Sequence, residues 1–107
     1  MKWGDKLQML ELVTKEYLSI VETLQEIEPI INERIVIDKE RFKNLLEKYQ
    51  YLKYRDKVKI YKDLNFIIHD KNNYTLPCRE NGKTVRKVVI NYTAYLTLKQ
   101  LYETVVN

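Results

Sequence analysis

The fold of this 107-residue chain is decided by the stretch Tyr74-Thr-Leu-Pro-Cys-Arg-Glu-Asn-Gly-Lys-Thr-Val-Arg-Lys-Val-Val-Ile-Asn91. At its centre, Asn81-Gly82 is the strongest short-range hairpin signal, because a type I′ turn requires positive φ at both of its central positions. The residues on the two sides predict two strands. Pro77 marks the first of them as an edge strand, since proline lacks one ladder donor. The stretch therefore predicts a β-hairpin.

Two short helical patterns precede the hairpin, and a brief link at residues 50–53 resembles the turn between two crossing helices. Asp38 is predicted to cap the first helix. The second, from about Tyr54 to Asn65, is basic and amphipathic. The residues predicted to face the core are Phe42, Leu45, Leu46 and Tyr49 in the first helix, and Val58, Tyr61 and Leu64 in the second.

Helical patterns also lie at both ends of the chain. Apolar residues at 3-4-3-4-3 spacing predict one long helix over residues 5–28, capped by Asp5 and ended by Pro29. A β-prone run at residues 34–37 is long enough only to pair with the edge of the hairpin. Thr93 is predicted to cap a last helix over residues 93–106. The first stripe consists of Leu10, Val13, Tyr17, Ile20, Leu24 and Ile27.

Length and composition indicate one domain over residues 1–107, large enough for a single modest core. With 45% apolar and 32% charged residues, the chain is typical of a globular protein. No apolar run approaches the roughly 20 residues that cross a bilayer. The start lacks the apolar segment of a secretory signal. We therefore expect a cytoplasmic chain with no membrane partner.

Charge is distributed unevenly along the chain. Residues 1–33 hold three basic and seven acidic residues, a net charge of −4, whereas residues 34–107 hold sixteen basic and eight acidic residues, a net charge of +8. An acidic first third on a basic remainder suggests two surfaces with different partners. An ordinary solvated helix face in each part is the alternative interpretation.

Cations on the second short helix and on the hairpin are the leading functional signal, because phosphate contacts require flexible cations. Tyr54 is the candidate for stacking on the bases of a single strand. The outward residues of the helix are mostly lysines, which favours phosphate or protein contact over the reading of base edges in duplex DNA. The predicted nucleic-acid-binding residues are Arg55, Lys57, Lys59, Lys62, Arg79, Lys83, Arg86, Lys87 and Tyr54.

The long first helix offers a second surface. A helix of this length overhangs a small body, and its free part would pack on another chain. The alternative is that its stripe faces the core of its own domain. If the stripe is not wholly occupied by the core, the predicted partner-binding residues are Trp3, Leu10, Tyr17 and Leu24.

Catalysis finds almost no support in the sequence. His69 is the only histidine and Cys78 the only cysteine, so the chain cannot build the usual Cys/His zinc site alone. Two glycines leave little room for a phosphate-cradling loop. We expect no catalytic residues, no metal and no cofactor, and hence no enzyme.

The order helix, short strand, helix, turn, basic helix, hairpin and closing helix resembles the winged helix-turn-helix superfamily. The string Tyr61-Lys-Asp-Leu-Asn-Phe-Ile-Ile-His-Asp70 is similar to the point where such domains leave their third helix for the wing. The resemblance covers about residues 33–91. It implies an α+β, winged-helix-like domain with a long N-terminal helix and a C-terminal helix. Two departures are the acids Asp56 and Asp63 in the third helix and the lack of an evident second wing.

In size and composition the chain also resembles the small partner proteins encoded beside an A-family DNA polymerase in staphylococcal cassette chromosome elements. In that family the pair acts in primer synthesis. The resemblance implies that the long N-terminal helix or the hydrophobic edge binds the polymerase, while the basic face guides a template strand. We therefore expect an accessory subunit of a mobile-element DNA replication complex that binds single-stranded or duplex DNA. A duplex-binding transcriptional regulator and a phage-type inhibitor that binds a protein remain open as alternatives.

Overall fold

The computed structural model describes the backbone of residues 3–106 and the side chains of residues 6–104. In chain order, its helices and strands are α1 (Trp3–Leu24), β1 (Arg34–Ile37), α2 (Lys39–Glu47), α3 (Tyr54–Asp63), β2 (Ile67–Ile68), β3 (Leu76–Glu80), β4 (Lys83–Asn91) and α4 (Tyr92–Val106). The predicted α+β class is confirmed, because this part of the chain forms four helices and a four-stranded antiparallel sheet.

The predicted hairpin is present. Asn81 and Gly82 have φ values of 53° and 79°, as a type I′ turn requires. β3 pairs with residues 83–87 of β4 and with no other strand in the described part of the chain, so Pro77 lies on an edge strand as predicted. The second half of β4 lies between β1 and β2. The prediction that residues 34–37 pair with the hairpin is also confirmed.

One face of the sheet carries the core. The register places Ile35 and Ile67 opposite Ile90, and Ile37 opposite Val88. Because successive side chains alternate between faces, these five side chains share one face, and all are buried. The helices pack onto this face through a buried cluster. Its helical members are Val13, Tyr17, Ile20, Val21, Leu24, Phe42, Leu46, Val58, Tyr61 and Tyr95.

The first helix is shorter at its end than the sequence predicts. It begins at Trp3 and ends at Leu24, the last buried residue of its stripe, instead of spanning residues 5–28. Beyond Leu24 the chain leaves the core in a turn, and Ile27 is exposed. Pro29 therefore follows the helix end without defining it. The side chain of the predicted cap Asp5 lies outside the described residues.

α3 ends in a Schellman motif. Asn65 has a φ of 58°, and the backbone N–H of Phe66 donates to the carbonyl of Tyr61 at 2.9 Å while that of Asn65 donates to Lys62 at 3.1 Å. The rings of Tyr61 and Phe66 then meet edge to face at 5.7 Å. This turn brings Phe66 into the core. Leu64, predicted to be buried, is exposed for that reason.

The ends of α2 also differ from the prediction. Asp38 occupies the N-cap position, but its side chain makes no capping hydrogen bond and lies 3.1 Å from the Lys87 ammonium. At the other end, Tyr49 lies beyond the last helical residue and is 52% exposed. The prediction that Tyr49 belongs to the core is therefore wrong.

α4 begins directly after β4 and uses a different cap from the predicted one. The side-chain oxygen of Asn91 accepts the backbone N–H of Ala94 at 3.3 Å, which is the geometry of an N-cap. Thr93 lies inside the helix, and its hydroxyl donates to Glu33 at 2.6 Å. The cap is therefore Asn91 and not Thr93.

Candidate nucleic-acid interface

Three cations form a row on the outer side of α3. Arg55, Lys59 and Lys62 follow one another at spacings of four and three residues, which places them on one helical face. Arg55 and Lys59 are exposed, and Lys62 is half-buried. Among the described side chains, none of the three forms a salt bridge. We call these residues the basic row.

The acids of α3 lie on a neighbouring side of the helix. Asp56 and Asp63 line a groove between α3 and the start of α1, together with Lys59, Leu10 and Ile60. Carboxylates within the basic row would repel phosphates. Both acids are neighbours of Lys59 in this groove, whereas Arg55 and Lys62 do not line it.

Lys57, predicted to contact phosphate, is fully buried, and that prediction is wrong. Its ammonium donates to Glu16 Oε2 at 2.7 Å, to the carbonyl of Leu46 at 2.5 Å and to the carbonyl of Tyr49. These acceptors use all three N–H groups of the ammonium. Because it has neither a free donor nor exposed surface, Lys57 does not reach a nucleic acid.

Glu16 of α1 completes the buried network. Its Oε1 accepts hydrogen bonds from the hydroxyls of Tyr51 and Tyr61, both at 2.9 Å. The Lys57 ammonium also lies 4.1 Å from the centre of the Tyr51 ring, within cation–π range. Burial, followed by the charge of Glu16, raises the pKa of Tyr61 above its ordinary value. Burial and the hydrogen bond to Glu16 do the same to the pKa of Tyr51, so both hydroxyls stay protonated and keep donating.

This network determines how α3 is oriented. The last carbonyls of a helix have no partner inside it, and a cation at that end also favours the helix dipole. Lys57 satisfies such carbonyls at the end of α2 while it holds Glu16 on α1. It thereby joins three helices and fixes the rotation of α3 about its own axis. With Lys57 turned inward, Arg55 and Lys59 are directed outward.

The sequence contains a signal for this buried network, which the predictions from composition and spacing do not include. Glu16 lies three residues after Val13 and four before Ile20, inside the buried stripe of α1. Lys57 lies four residues before the buried Tyr61 in α3. Charged residues are almost never fully buried unless they are paired. One acid and one base in two core-facing stripes therefore predict a buried ion pair.

The four hairpin cations lie on both faces of the ribbon that β3 and β4 form. The register pairs Arg79 with Thr84. Because opposed residues point to the same side and neighbours alternate, Arg79 and Arg86 share one face, and Lys83 and Lys87 share the other. The prediction that these cations converge on one side is therefore wrong for the ribbon. Near its tip, Arg79 and Lys83 form no salt bridge with another described side chain.

The other two ribbon cations contact carboxylates. Lys87 lies 2.7 Å from Glu80 and 3.1 Å from Asp38, and these hydrogen bonds raise the pKa of Lys87. Arg86 lies 3.0 Å from a carboxylate oxygen of Asp70. Both cations are predicted phosphate contacts, and in this structure both are already paired. Phosphate contact at the ribbon therefore falls mainly to its tip.

Tyr54, predicted as the stacking residue, is half-buried at the start of α3. Its hydroxyl donates to the hydroxyl of Tyr74 at 3.1 Å. Burial, followed by this hydrogen bond, raises the pKa of Tyr54. The two rings line a groove with residues of α2, which the sequence did not predict because no local pattern shows that the loop before β3 returns to α2. The α2 residues in the groove are Lys39, Glu40 and Lys43.

Half of the predicted partner face is buried. Tyr17 and Leu24 have no exposed surface, so the prediction that they contact a partner is wrong. The Tyr17 ring stacks on Phe66 at 4.0 Å, inside the core. Leu10 is 41% exposed and remains available. The side chain of Trp3 lies outside the described residues.

A different apolar surface is exposed beside α1. The hydroxyl of Tyr92, at the start of α4, donates to Gln25 just beyond the end of α1, and α4 packs against α1. The two helices are therefore antiparallel, and α4 runs back along α1 from the end of that helix. We call this region the α1–α4 end. It comprises the first half of α1 and the second half of α4, whose exposed apolar side chains are Leu7, Leu10, Leu12, Leu101 and Tyr102.

Within the part of the chain that the structure describes, no group of three or more His, Cys, Asp or Glu residues is placed to hold a metal ion. His69 Nδ1 lies 2.9 Å from the carbonyl of Asp70, and the half-buried Cys78 thiol lies 3.8 Å from the carbonyl of Leu76. None of the described helices combines the length and apolar character that crossing a membrane requires.

Comparison with known proteins gave no match to a protein-family model and no match to a curated protein. Function is therefore inferred from the charge and geometry of the surfaces described above.

Proposed function

We propose that this chain is a non-enzymatic, winged-helix accessory subunit that binds nucleic acid through α3 and the tip of the ribbon. The basic row carries the proposal: Arg55, Lys59 and Lys62 lie on one helical face and form no salt bridge with any described side chain. Cations arranged in this way neutralise phosphates and release their counterions.

The order of the elements supports the winged-helix assignment. β1, between the first two helices, pairs with β4 and so joins the same sheet as the ribbon. α2 and α3 are joined by a link at residues 48–53, and the ribbon follows α3. In helix-turn-helix proteins the second helix of the pair lies against DNA. Here that helix is α3, which carries the basic row.

The α1–α4 end supports a protein partner. Clusters of exposed apolar side chains mark interaction sites on proteins. We propose that this end binds a polymerase-type partner and that the pair acts in replication or priming of a mobile element. The exposed leucines support the existence of a partner, and the resemblance to small partner proteins of A-family polymerases supports its class.

Fluorescence anisotropy with labelled single-stranded and duplex oligonucleotides, across a salt series, tests nucleic-acid binding. The logarithm of the binding constant should fall linearly with the logarithm of salt concentration, by about 0.9 per neutralised phosphate on duplex and about 0.7 on a single strand. Lys59→Glu should weaken binding several-fold and reduce this slope. Lys15→Glu, on α1, is the matched control because it changes net charge equally.

Three other outcomes would each contradict part of the proposal. Flat anisotropy on both oligonucleotides at low salt would leave a purely protein-binding function, such as that of a phage-type inhibitor. A strong preference for one short duplex sequence over random duplex would favour a dimeric transcriptional regulator. Equal losses in Lys59→Glu and Lys15→Glu would move the binding site away from α3.

A further inference from the structure

The groove between α2, the start of α3 and the loop before β3 combines aromatic rings with cations. Its volume is about 400 Å³, within the range of about 300–1,000 Å³ that is typical of small-ligand sites. Tyr54, one of its lining residues, immediately precedes Arg55, the first cation of the basic row. We call it the stacking groove. It is lined by Lys39, Glu40, Lys43, Tyr54 and Tyr74.

Tyr74 is held in place by neighbours on several elements. Its hydroxyl accepts the hydrogen bond from Tyr54, and its ring lies 6.5 Å from the ring of the buried Phe42. In the loop before it, the carboxylate of Asp70 accepts the backbone N–H of Asn73 at 2.8 Å. Because the ring is already ordered, little conformational entropy is lost when a ligand packs against it.

Arg86 fixes the same loop from the ribbon. Its guanidinium donates to the Asp70 carboxylate at 3.0 Å, to the Thr75 hydroxyl at 3.0 Å and to the Thr75 carbonyl at 2.6 Å. These residues lie on both sides of Tyr74 in the chain. Arg86 is therefore a positioning residue for Tyr74, a role different from the predicted phosphate contact.

We propose that the stacking groove binds an unpaired base of single-stranded DNA against Tyr54 and Tyr74, with the neighbouring phosphate at Lys43 and the strand continuing along the basic row. The inference rests on the proposed nucleic-acid-binding function and names its ligand as a single strand. In a duplex, each base is covered on both faces by its neighbours. A single strand exposes those faces, and stacking on aromatic side chains is its main source of affinity beyond charge.

The charges around the groove agree with this ligand. The Lys43 ammonium lies over the Tyr54 ring, 5.9 Å from its centre, so a base that stacks on this face displaces the ammonium toward its own phosphate. Its ion pair with Glu47, at 3.8 Å between exposed groups, is weak enough for a phosphate to compete. Glu40 repels phosphate, but a carboxylate accepts a hydrogen bond from the exocyclic amino group of cytosine. We therefore choose short oligo-dC as the probe.

The test compares oligo-dC with an abasic oligomer of equal length, which keeps the phosphates and lacks the bases. The wild-type chain should bind oligo-dC about 5- to 150-fold more tightly for each stacked base. Tyr74→Leu should lose most of this difference, whereas Tyr74→Phe, which keeps the ring, should retain it. Tyr102→Leu, on the α1–α4 end, is the matched control and should behave as wild type.

Each contrary outcome has a distinct meaning. If Tyr74→Leu does not fold, the wild-type comparison still decides, because equal affinity for oligo-dC and the abasic oligomer overturns the stacking groove. If wild type and folded Tyr74→Leu bind oligo-dC equally while Lys59→Glu binds weakly, the stacking groove is overturned and the proposed function stands. Absence of binding to oligo-dC, the abasic oligomer and duplex alike overturns both.

Discussion

Lys57 and Lys59 lie two residues apart in α3, yet one is fully buried and the other is exposed. At 3.6 residues per turn they point to nearly opposite sides of the helix. A count of charged residues treats both lysines as cations available to phosphate. Their position relative to Tyr61 separates them, because Lys57 lies on the same side as this core residue and must find partners for a buried charge. The chemistry of each lysine is therefore set by helical phase.

Replacing Lys57 by Met is expected to lower the free energy of unfolding by about 3–5 kcal/mol, because it leaves the Glu16 carboxylate buried without a countercharge. Urea denaturation followed by circular dichroism measures the loss. Lys59→Met, on the exposed side of the same helix, is the control and should change stability by less than about 0.5 kcal/mol. Adding Glu16→Gln to Lys57→Met should recover part of the loss, since a neutral amide costs less to bury. Equal losses in the two single variants would contradict the buried pair.

Buried tyrosines are expected to limit stability at alkaline pH. Burial raises the pKa of Tyr17 and, together with the charge of Glu16, that of Tyr61 above the ordinary 10.0. Because these folded pKa values are raised, the stability they contribute is complete below about pH 10 and is lost as the pH rises further. The free energy of unfolding should fall by up to about 1.4 kcal/mol per pH unit for each such tyrosine.

Urea titrations at a series of alkaline pH values measure this slope, and Tyr61→Phe should reduce it by removing one contribution. Tyrosinate absorbance should rise together with the loss of circular dichroism for the buried rings. If all nine tyrosines ionised near pH 10 with the fold intact, the burial of these hydroxyls would be contradicted.

Among the elements, those set by local chemistry follow the sequence prediction most closely. The turn at Asn81-Gly82 requires positive φ at two adjacent positions, and no distant residue is needed to specify it. Leu64 shows where helical periodicity gives a wrong prediction. Its position continues the apolar stripe of α3, but it would be buried only if the helix continued through it. The left-handed residue Asn65 ends the helix first and gives the core position to Phe66.

Within the candidate site, too, some features are set by local spacing and others by contacts between distant residues. The basic row follows from spacing within one helix, so the sequence alone places Arg55, Lys59 and Lys62 on one face of α3. The faces of the ribbon depend on the register between two strands, which is why Arg79 and Lys83 separate. The stacking groove depends on a loop that brings Tyr74 to α2, and no periodic pattern encodes that contact.

The Schellman motif at the end of α3 is expected to depend on residue 65. Asn65→Gly should keep or slightly raise stability, because glycine adopts positive φ without steric cost. Asn65→Ala should lower the free energy of unfolding by about 1–2 kcal/mol, since Cβ disfavours the left-handed region. Chemical denaturation measures both variants, with Asn44→Ala on the exposed side of α2 as the control. Equal stability of the Gly and Ala variants would show that Phe66 does not need this turn.

At the scale of the whole molecule, the two proposed surfaces differ in the forces they use. The basic row acts through phosphate neutralisation, so its affinity falls as salt rises. The α1–α4 end exposes leucines, and association driven by apolar burial is much less sensitive to ionic strength than phosphate neutralisation. Variants in one surface should therefore leave the other function intact.

We expect the paired change Leu7→Glu and Leu101→Glu to abolish co-purification with an A-family DNA polymerase of a staphylococcal cassette chromosome element, because it places carboxylates in the apolar contact. Oligonucleotide affinity should stay within about twofold of wild type. Lys59→Glu should give the reverse pattern, with weakened DNA binding and unchanged co-purification in high salt. Circular dichroism confirms that each variant is folded. Retained co-purification of the folded leucine variant would exclude the α1–α4 end as the partner surface, while leaving nucleic-acid binding at α3 unaffected.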